Sequence, residues 1–256
     1  MASRLSPNVG RCQLLFDPPA DGAWNMAVDE ALLESAAVRK QCTLRFYQWS
    51  EPTLSLGYFQ KHSDRARHSP SMDCALVRRS SGGGAILHDR ELTYSFAAPL
   101  EYRLASTPAE LYQSFHGSLR DLLEQLAGTG FELRPASQPV PASEEPFLCF
   151  QRQASGDLLF NDQKVGGSAQ RRLRGAMLQH GSILLARSPF APELPGISEL
   201  SRVRIEPEEL SKSWSATLAA CLGLELEPSD ADAQLLASAQ RLAEAKHRSD
   251  AWQRLK

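Results

Sequence analysis

The sequence contains no run of about 18 or more apolar residues, so it predicts no transmembrane helix. Its first residues, MASRLSPNVGRCQLLF, lack an apolar core followed by a small-residue cleavage site; no secretory signal is expected, and the expected location is cytoplasmic. Cysteine is sparse. Cys12, Cys42, Cys74, Cys149 and Cys221 are scattered, odd in number and never in a C-x-x-C pair. That argues against a disulfide framework and a zinc site, and no metal is expected. Neither sign of charge is in excess: a net charge of −2 gives no reason to expect nucleic-acid binding, although 28 basic residues leave room for a local positive patch. Internal repeats and low-complexity tracts are absent.

What is present fits one sizeable domain of ordinary composition, with 256 residues, 42% hydrophobic and 23% charged. Asp21 to Lys40 reads as a helix capped by Asp21, with Met26, Ala27, Leu32 and Leu33 near one face. TLRFYQW and TLSLGYF read as strands separated by a turn at Pro52, and CALVRRS as a third strand entering Gly82-Gly83-Gly84. LTYSFAAP alternates as a strand. Pro108 to Leu126 has helical spacing and stops before Gly128. Residues 135–147 form a Pro/Ser-rich loop, of a length that is often functional. DLLF, the turn Asn161-Asp162 and KVGGSAQ predict a hairpin, and MLQHGSILL a further strand. From Glu206 onward two helical patterns follow, the second spanning Ala231 to Trp252. The expected class is α/β (α+β), a mixed β-sheet flanked by helices in a single catalytic domain over 1–256, with a small helical C-terminal cap over about 206–256.

Three segments carry chemistry. In RRSSGGGAILHD, three glycines let backbone approach a ligand closely, and their N–H groups suit a carboxylate, phosphate or thioester carbonyl. Arg78 and Arg79 put charge beside them. A P-loop is excluded, because the G-K-[ST] ending is missing. In DLLFNDQKVGGSAQRR, Lys164 follows a turn and precedes Gly166-Gly167-Ser168, where it could polarise a carbonyl or contact phosphate. In QHGSILL, His180 sits in a strand. Taken singly, each has a plain structural explanation: a turn, a solvated lysine, a histidine fixed by a backbone bond.

In this order and spacing, RRSSGGGAILHD, KVGGSAQ and QHGSILL resemble the catalytic domain shared by lipoate–protein ligases, octanoyltransferases and, more distantly, biotin–protein ligases. NMAVDEALL is similar to that family's first helix, and KHRSDAW to the way its shorter members end. The resemblance covers roughly residues 14 to 253. It implies the biotin/lipoate-ligase fold with an acyl tunnel by the glycine loop, for which Leu14, Leu56, Val77 and Ile86 are candidate lining residues. It also implies a binding site made of Arg79, Ser81, Gly82, Gly83, Gly84, His88, Asp157, Gly167, Ser168 and His180.

Cys149, in FLCF, is the discriminating residue. The family's cysteine-dependent octanoyltransferases place a nucleophilic cysteine in a Cys-Phe pair at about this interval before the lysine. The resemblance therefore implies catalysis by Cys149 and Lys164. Octanoyl would pass from octanoyl-acyl carrier protein to a lysine of a lipoyl domain, such as glycine cleavage H protein or the E2 component of a 2-oxoacid dehydrogenase. No cofactor, nucleic acid or membrane would be involved. Two features depart from that pattern: Gln151, Arg152 and Gln153 replace the usual Asp-Ser-Pro, and Asp157 sits where ligases keep an aspartate. An ATP- and Mg²⁺-dependent lipoate ligase, an octanoyl amidotransferase between carrier proteins, and a non-catalytic acyl-binding homologue stay open. A biotin ligase is weaker, since its GRGRxxR-type loop is missing.

Overall fold

The computed structural model describes residues 10–136 and 145–256. Of the Pro/Ser-rich segment 135–147, residues 137–144 lie outside the described residues. The elements run β1 (Arg11–Phe16), α1 (Gly22–Arg39), β2 (Cys42–Tyr47), β3 (Thr53–Leu56), β4 (Ala75–Arg78), β5 (Ile86–His88), β6 (Glu91–Pro99), α2 (Arg103–Ser106), α3 (Pro108–Ala127) and β7 (Phe131–Leu133). They continue with β8 (Leu158–Phe160), β9 (Gln163–Leu173), β10 (Ala176–Leu184), α4 (Ile197–Ser201), α5 (Pro207–Leu222), β11 (Glu225–Pro228), α6 (Ala233–Leu242) and α7 (Asp250–Gln253).

Eight strands form one mixed sheet in the order β11-β1-β2-β6-β10-β9-β8-β7; β4-β3-β5 form a second, small sheet. Every residue of β6 and β10 is buried, because helices cover both faces at the centre of the main sheet. Tyr94, Phe96 and Met177 pack with Phe115 of α3 and Trp214 of α5 on one face. Ala97, Ala176 and Leu178 pack with Ala27, Ala31 and Leu32 of α1 on the other, where Leu235 and Ala239 of α6 close over α1. The alternation along β10 thus sends odd-numbered side chains toward α3 and α5 and even-numbered ones, including His180, toward α1.

Asp21 caps α1 as expected, accepting from the Trp24 N–H at 2.7 Å. The helix is not one-sided, however: Gly22, Asn25 through Leu33 and Ala36 are all buried, since α6 packs on the side away from the sheet. The second C-terminal pattern is one broken path rather than one helix. α6 passes through a π turn at Ala243–His247 and restarts at α7, capped by Ser249. The segment expected to be a helical cap also contains β11, which pairs in parallel with β1 at the sheet edge. No helix among the described residues is long and apolar enough to cross a membrane.

Candidate active site

Cys149 opens a single 3₁₀ turn, Cys149–Gln151, and its position is set by main chain. The Cys149 N–H donates to Ala85 O at 2.7 Å, and the Ala85 N–H donates to Phe147 O at 3.0 Å, so the cysteine is stitched to the end of the glycine loop. That approach requires Gly84. A Cβ there would lie 2.7 Å from Arg152 Nε and 3.0 Å from Cys149 N.

The hairpin of β8 and β9 brings Lys164 to the same place. Asn161 and Asp162 both adopt positive φ, the geometry of a two-residue hairpin turn. A register shift between Leu158 and Leu159 sits beside Asp157. Lys164 Nζ lies 2.7 Å from Asp157 Oδ2 and 3.8 Å from Cys149 Sγ. The lysine stem crosses bare backbone at Gly167, where a Cβ would meet its Cε at 2.6 Å. Burial works against the ammonium, but the adjoining Cys149 and Asp157 outweigh it and hold the lysine above its ordinary pKa. Lys164 is therefore a fixed cation rather than a base.

Asp157 is itself held by α3. Tyr112 OH donates to its Oδ1 at 2.7 Å, and the Ala154 N–H donates to its Oδ2 at 2.6 Å. One turn further along, burial pulls His116 down to about 4, so the ring is neutral. Its Nδ1 faces the Gly156 carbonyl at 2.7 Å and must carry the proton. Nε2 then accepts from Ser168 Oγ at 2.7 Å, and Tyr94 OH donates to that same Oγ at 2.7 Å.

On the α1 side, Arg79 donates to Ser55 O (3.0 Å), Gly82 O (2.9 Å) and Gly84 O (2.6 Å) and so shapes the glycine loop from within. Burial lowers its pKa to about 10, which leaves it charged at neutral pH. His180 donates through Nδ1 to Asp29 at 3.0 Å and meets Ser81 Oγ at 2.5 Å. Asp29 also accepts from Arg45 (2.9 Å) and Tyr47 OH (3.0 Å). Burial opposes its charge, but His180 and Arg45 keep it below the ordinary aspartate value. His88 stacks on Trp49 at 3.8 Å and bonds Glu91 at 2.6 Å; burial depresses its pKa despite that carboxylate.

These groups surround one cavity between α1, the small sheet and β6-β10-β9, with Cys149, Phe150 and Gly83 at one part of its wall and Met26, Tyr47 and Trp49 at another. Residues 21–216 match the family described as the lipoyl protein ligase A/B catalytic domain. The chain belongs to this family. It is an acyltransferase. The chain is 38% identical over 175 residues to the octanoyltransferase LipM of Oceanobacillus iheyensis, a match covering 67% of this chain and 63% of that protein. It is 32% identical to that of Geobacillus kaustophilus, covering 93% and 94%. Among solved structures, a putative lipoate protein ligase from Thermoplasma acidophilum superposes with TM-score 0.77 at 20% identity, over 96% of this chain and 99% of that one. Lipoate-protein ligase A bound with ATP gives 0.71 at 19%, over 95% and 98%. The mixed sheet flanked by helices is thus the fold of this family.

Within this lipoyl-ligase-type domain, Arg79, Gly82, Gly83, His88, Cys149, Gly167, Ser168 and His180 line the cavity, while Ser81, Gly84, Asp157 and Lys164 stand directly behind its wall. Of the apolar candidates, Ile86 lines the cavity. Leu14 belongs to the core on the α3 side, Leu56 to the core under the small sheet, and Val77 packs behind Met26 and Trp49. Arg78, expected with Arg79 to put charge beside the glycines, turns the other way. Among the described residues it donates only to carbonyls of Gly57, Tyr58, Gln60, Trp252 and Gln253, and it is fully buried. Sequence reasoning passed over Asp29, Tyr112 and His116. The last two carried a signal: they lie four residues apart on a helix, hence on one face.

Proposed function

We propose that this acyltransferase moves octanoyl from a carrier thioester to a lysine of a lipoyl-carrier domain through a thioester on Cys149. The observation that carries this reading is the buried Lys164 ammonium, braced by Asp157 and set 3.8 Å from the Cys149 sulfur at the wall of the cavity. The relatives named octanoyltransferase LipM supply the acyl group.

In this scheme the Cys149 thiolate attacks the donor's thioester carbonyl. The tetrahedral oxyanion collapses and expels the carrier's thiolate, leaving octanoyl on Sγ. Lys164 balances the negative charge at each stage, and Arg79, which lines the cavity and whose Nε has no partner among the described residues, would hold the acyl oxygen. A neutral ε-amine from the acceptor then attacks the acyl-enzyme; the C–S bond breaks as the amide forms, and the proton the nitrogen gives up leaves with the Cys149 sulfur as its thiol. A thioester is already activated, so the scheme needs neither ATP nor metal.

Incubation with octanoyl-acyl carrier protein alone, followed by intact mass analysis, tests the proposal. The wild type gains one octanoyl mass, and hydroxylamine removes it. Cys149→Ala gains none, while Cys12→Ala, Cys42→Ala, Cys74→Ala and Cys221→Ala still acylate. Lys164→Ala acylates about 100-fold more slowly. Modification only with free octanoate or lipoate plus ATP and Mg²⁺ would instead assign the chain to the ligases.

A further inference from the structure

Next to the cavity, the surface has a feature the chemistry above leaves unused. Phe59 is 70% exposed, a large apolar ring held at the surface. It sits on the glycine loop: a Cβ on Gly82 would touch its ring at 3.6 Å, and the neighbouring Tyr58 N–H donates to Ser81 O at 2.8 Å. Cations ring it. Lys256 Nζ lies 5.3 Å from the Phe59 ring and 5.7 Å from that of Tyr58, and the His62 N–H donates to Lys256 O. Lys61 and Arg254 are exposed beside them. Burial, then Arg254, Arg65 and Arg78, press the His62 pKa down against the pull of Asp250. The nearest carboxylate on the same turn, Asp64, is folded back onto the Lys61 N–H at 3.1 Å.

We infer that Phe59, with Lys61, Arg254 and Lys256 around it, is the docking face for an acidic carrier domain that presents the acceptor lysine. An exposed aromatic beside basic side chains can serve as a small recognition patch: the ring supplies buried area and the bases select the opposite charge. The acceptor is favoured over the donor by reach. A lysine side chain is short, so its domain must seat at the very edge of the cavity, and Phe59 rests on a loop glycine that lines it. The inference rests on the reading of the protein as a lysine acyltransferase.

Binding is measured directly, with an unmodified lipoyl domain as probe and Cys149→Ala protein as host, so turnover is not required. Phe59→Ser, and separately Lys61→Glu with Lys256→Glu, should each weaken binding about tenfold or more. High salt should weaken binding to the Cys149→Ala host itself while leaving the charge-reversed protein nearly unchanged. In the otherwise wild-type enzyme, both variants should still acylate from a small octanoyl thioester at the normal rate, which also shows that they fold. Unaltered lipoyl-domain binding in the charge-reversed variant overturns the assignment. So does a defect confined to acylation by octanoyl-acyl carrier protein, which would make this the donor's face. Failure to form an acyl-enzyme would count against the Cys149 scheme alone and leave the binding result intact.

Discussion

Gly167 shows how a single hydrogen atom in place of a side chain can govern the chemistry. The Lys164 stem runs over it, and the nearest atoms to a new Cβ are Lys164 Cε and Nζ, the flexible end of a side chain rather than backbone. Gly167 needs no positive φ. If Nζ keeps Asp157 while the stem shifts, Gly167→Ala should cost less than about 1 kcal/mol of stability yet move Nζ away from Cys149, dropping the acylation rate toward that of Lys164→Ala. Thermal unfolding with single-turnover acylation separates the two effects; a normal rate would show that Lys164 need not lie where it does. Asp157→Ala differs in kind. It strands a buried ammonium, and about 3–5 kcal/mol of stability should go with the activity.

At the scale of elements, the glycine loop depends on a distant part of the chain. Arg78 ties the turn after β3 to the carbonyls of α7, and Trp252 Nε1 donates back to Arg78 O at 2.9 Å. The path into α7 is held onto α1 by Glu30, which bonds Lys246 at 2.6 Å and His247 at 3.0 Å. Burial opposes the Glu30 charge, but His247 and Lys246 prevail and lower its pKa from 4.5 to about 2. A depressed carboxylate stabilises above its unfolded pKa and loses that contribution as pH falls through its folded one. The window here is from 4.5 down to about 2, worth about 3 kcal/mol. Amide exchange in residues 243–256 should accelerate across that window, and Glu30→Gln should remove the dependence. Exchange indifferent to pH in the wild type would show that apolar packing alone holds the segment.

For the molecule as a whole, buried neutral His116 sets a second, higher pH limit. Its folded pKa of about 4 lies below the ordinary 6.5, so the unfolded chain takes up a proton that the native chain refuses. Stability should be full above about 6.5 and fall by about 3 kcal/mol as pH drops toward 4. Urea unfolding at stepped pH reads this directly, and His116→Asn should flatten the curve over that range.

The sequence alone determined the elements whose signals are local. The Asp21 cap, the Pro108 start and Gly128 stop of α3, the Asn161-Asp162 turn and the strand around His180 all rest on neighbouring residues and appear where expected. The glycine loop, Lys164 and Cys149 were also legible, because a motif of family spacing needs no contact map. Tertiary structure decided what depends on partners far along the chain. The short strands β5, β7 and β11 carry too few residues for a period to emerge and exist through the ladders they join. Arg78 and Arg79 are adjacent and chemically alike, yet Arg78 ends β4 and Arg79 opens the glycine loop: one arginine meets the C-terminal carbonyls and the other the cavity. Asp29 became part of the site only when β10 brought His180 across to α1, a contact spanning 151 residues that no local pattern encodes.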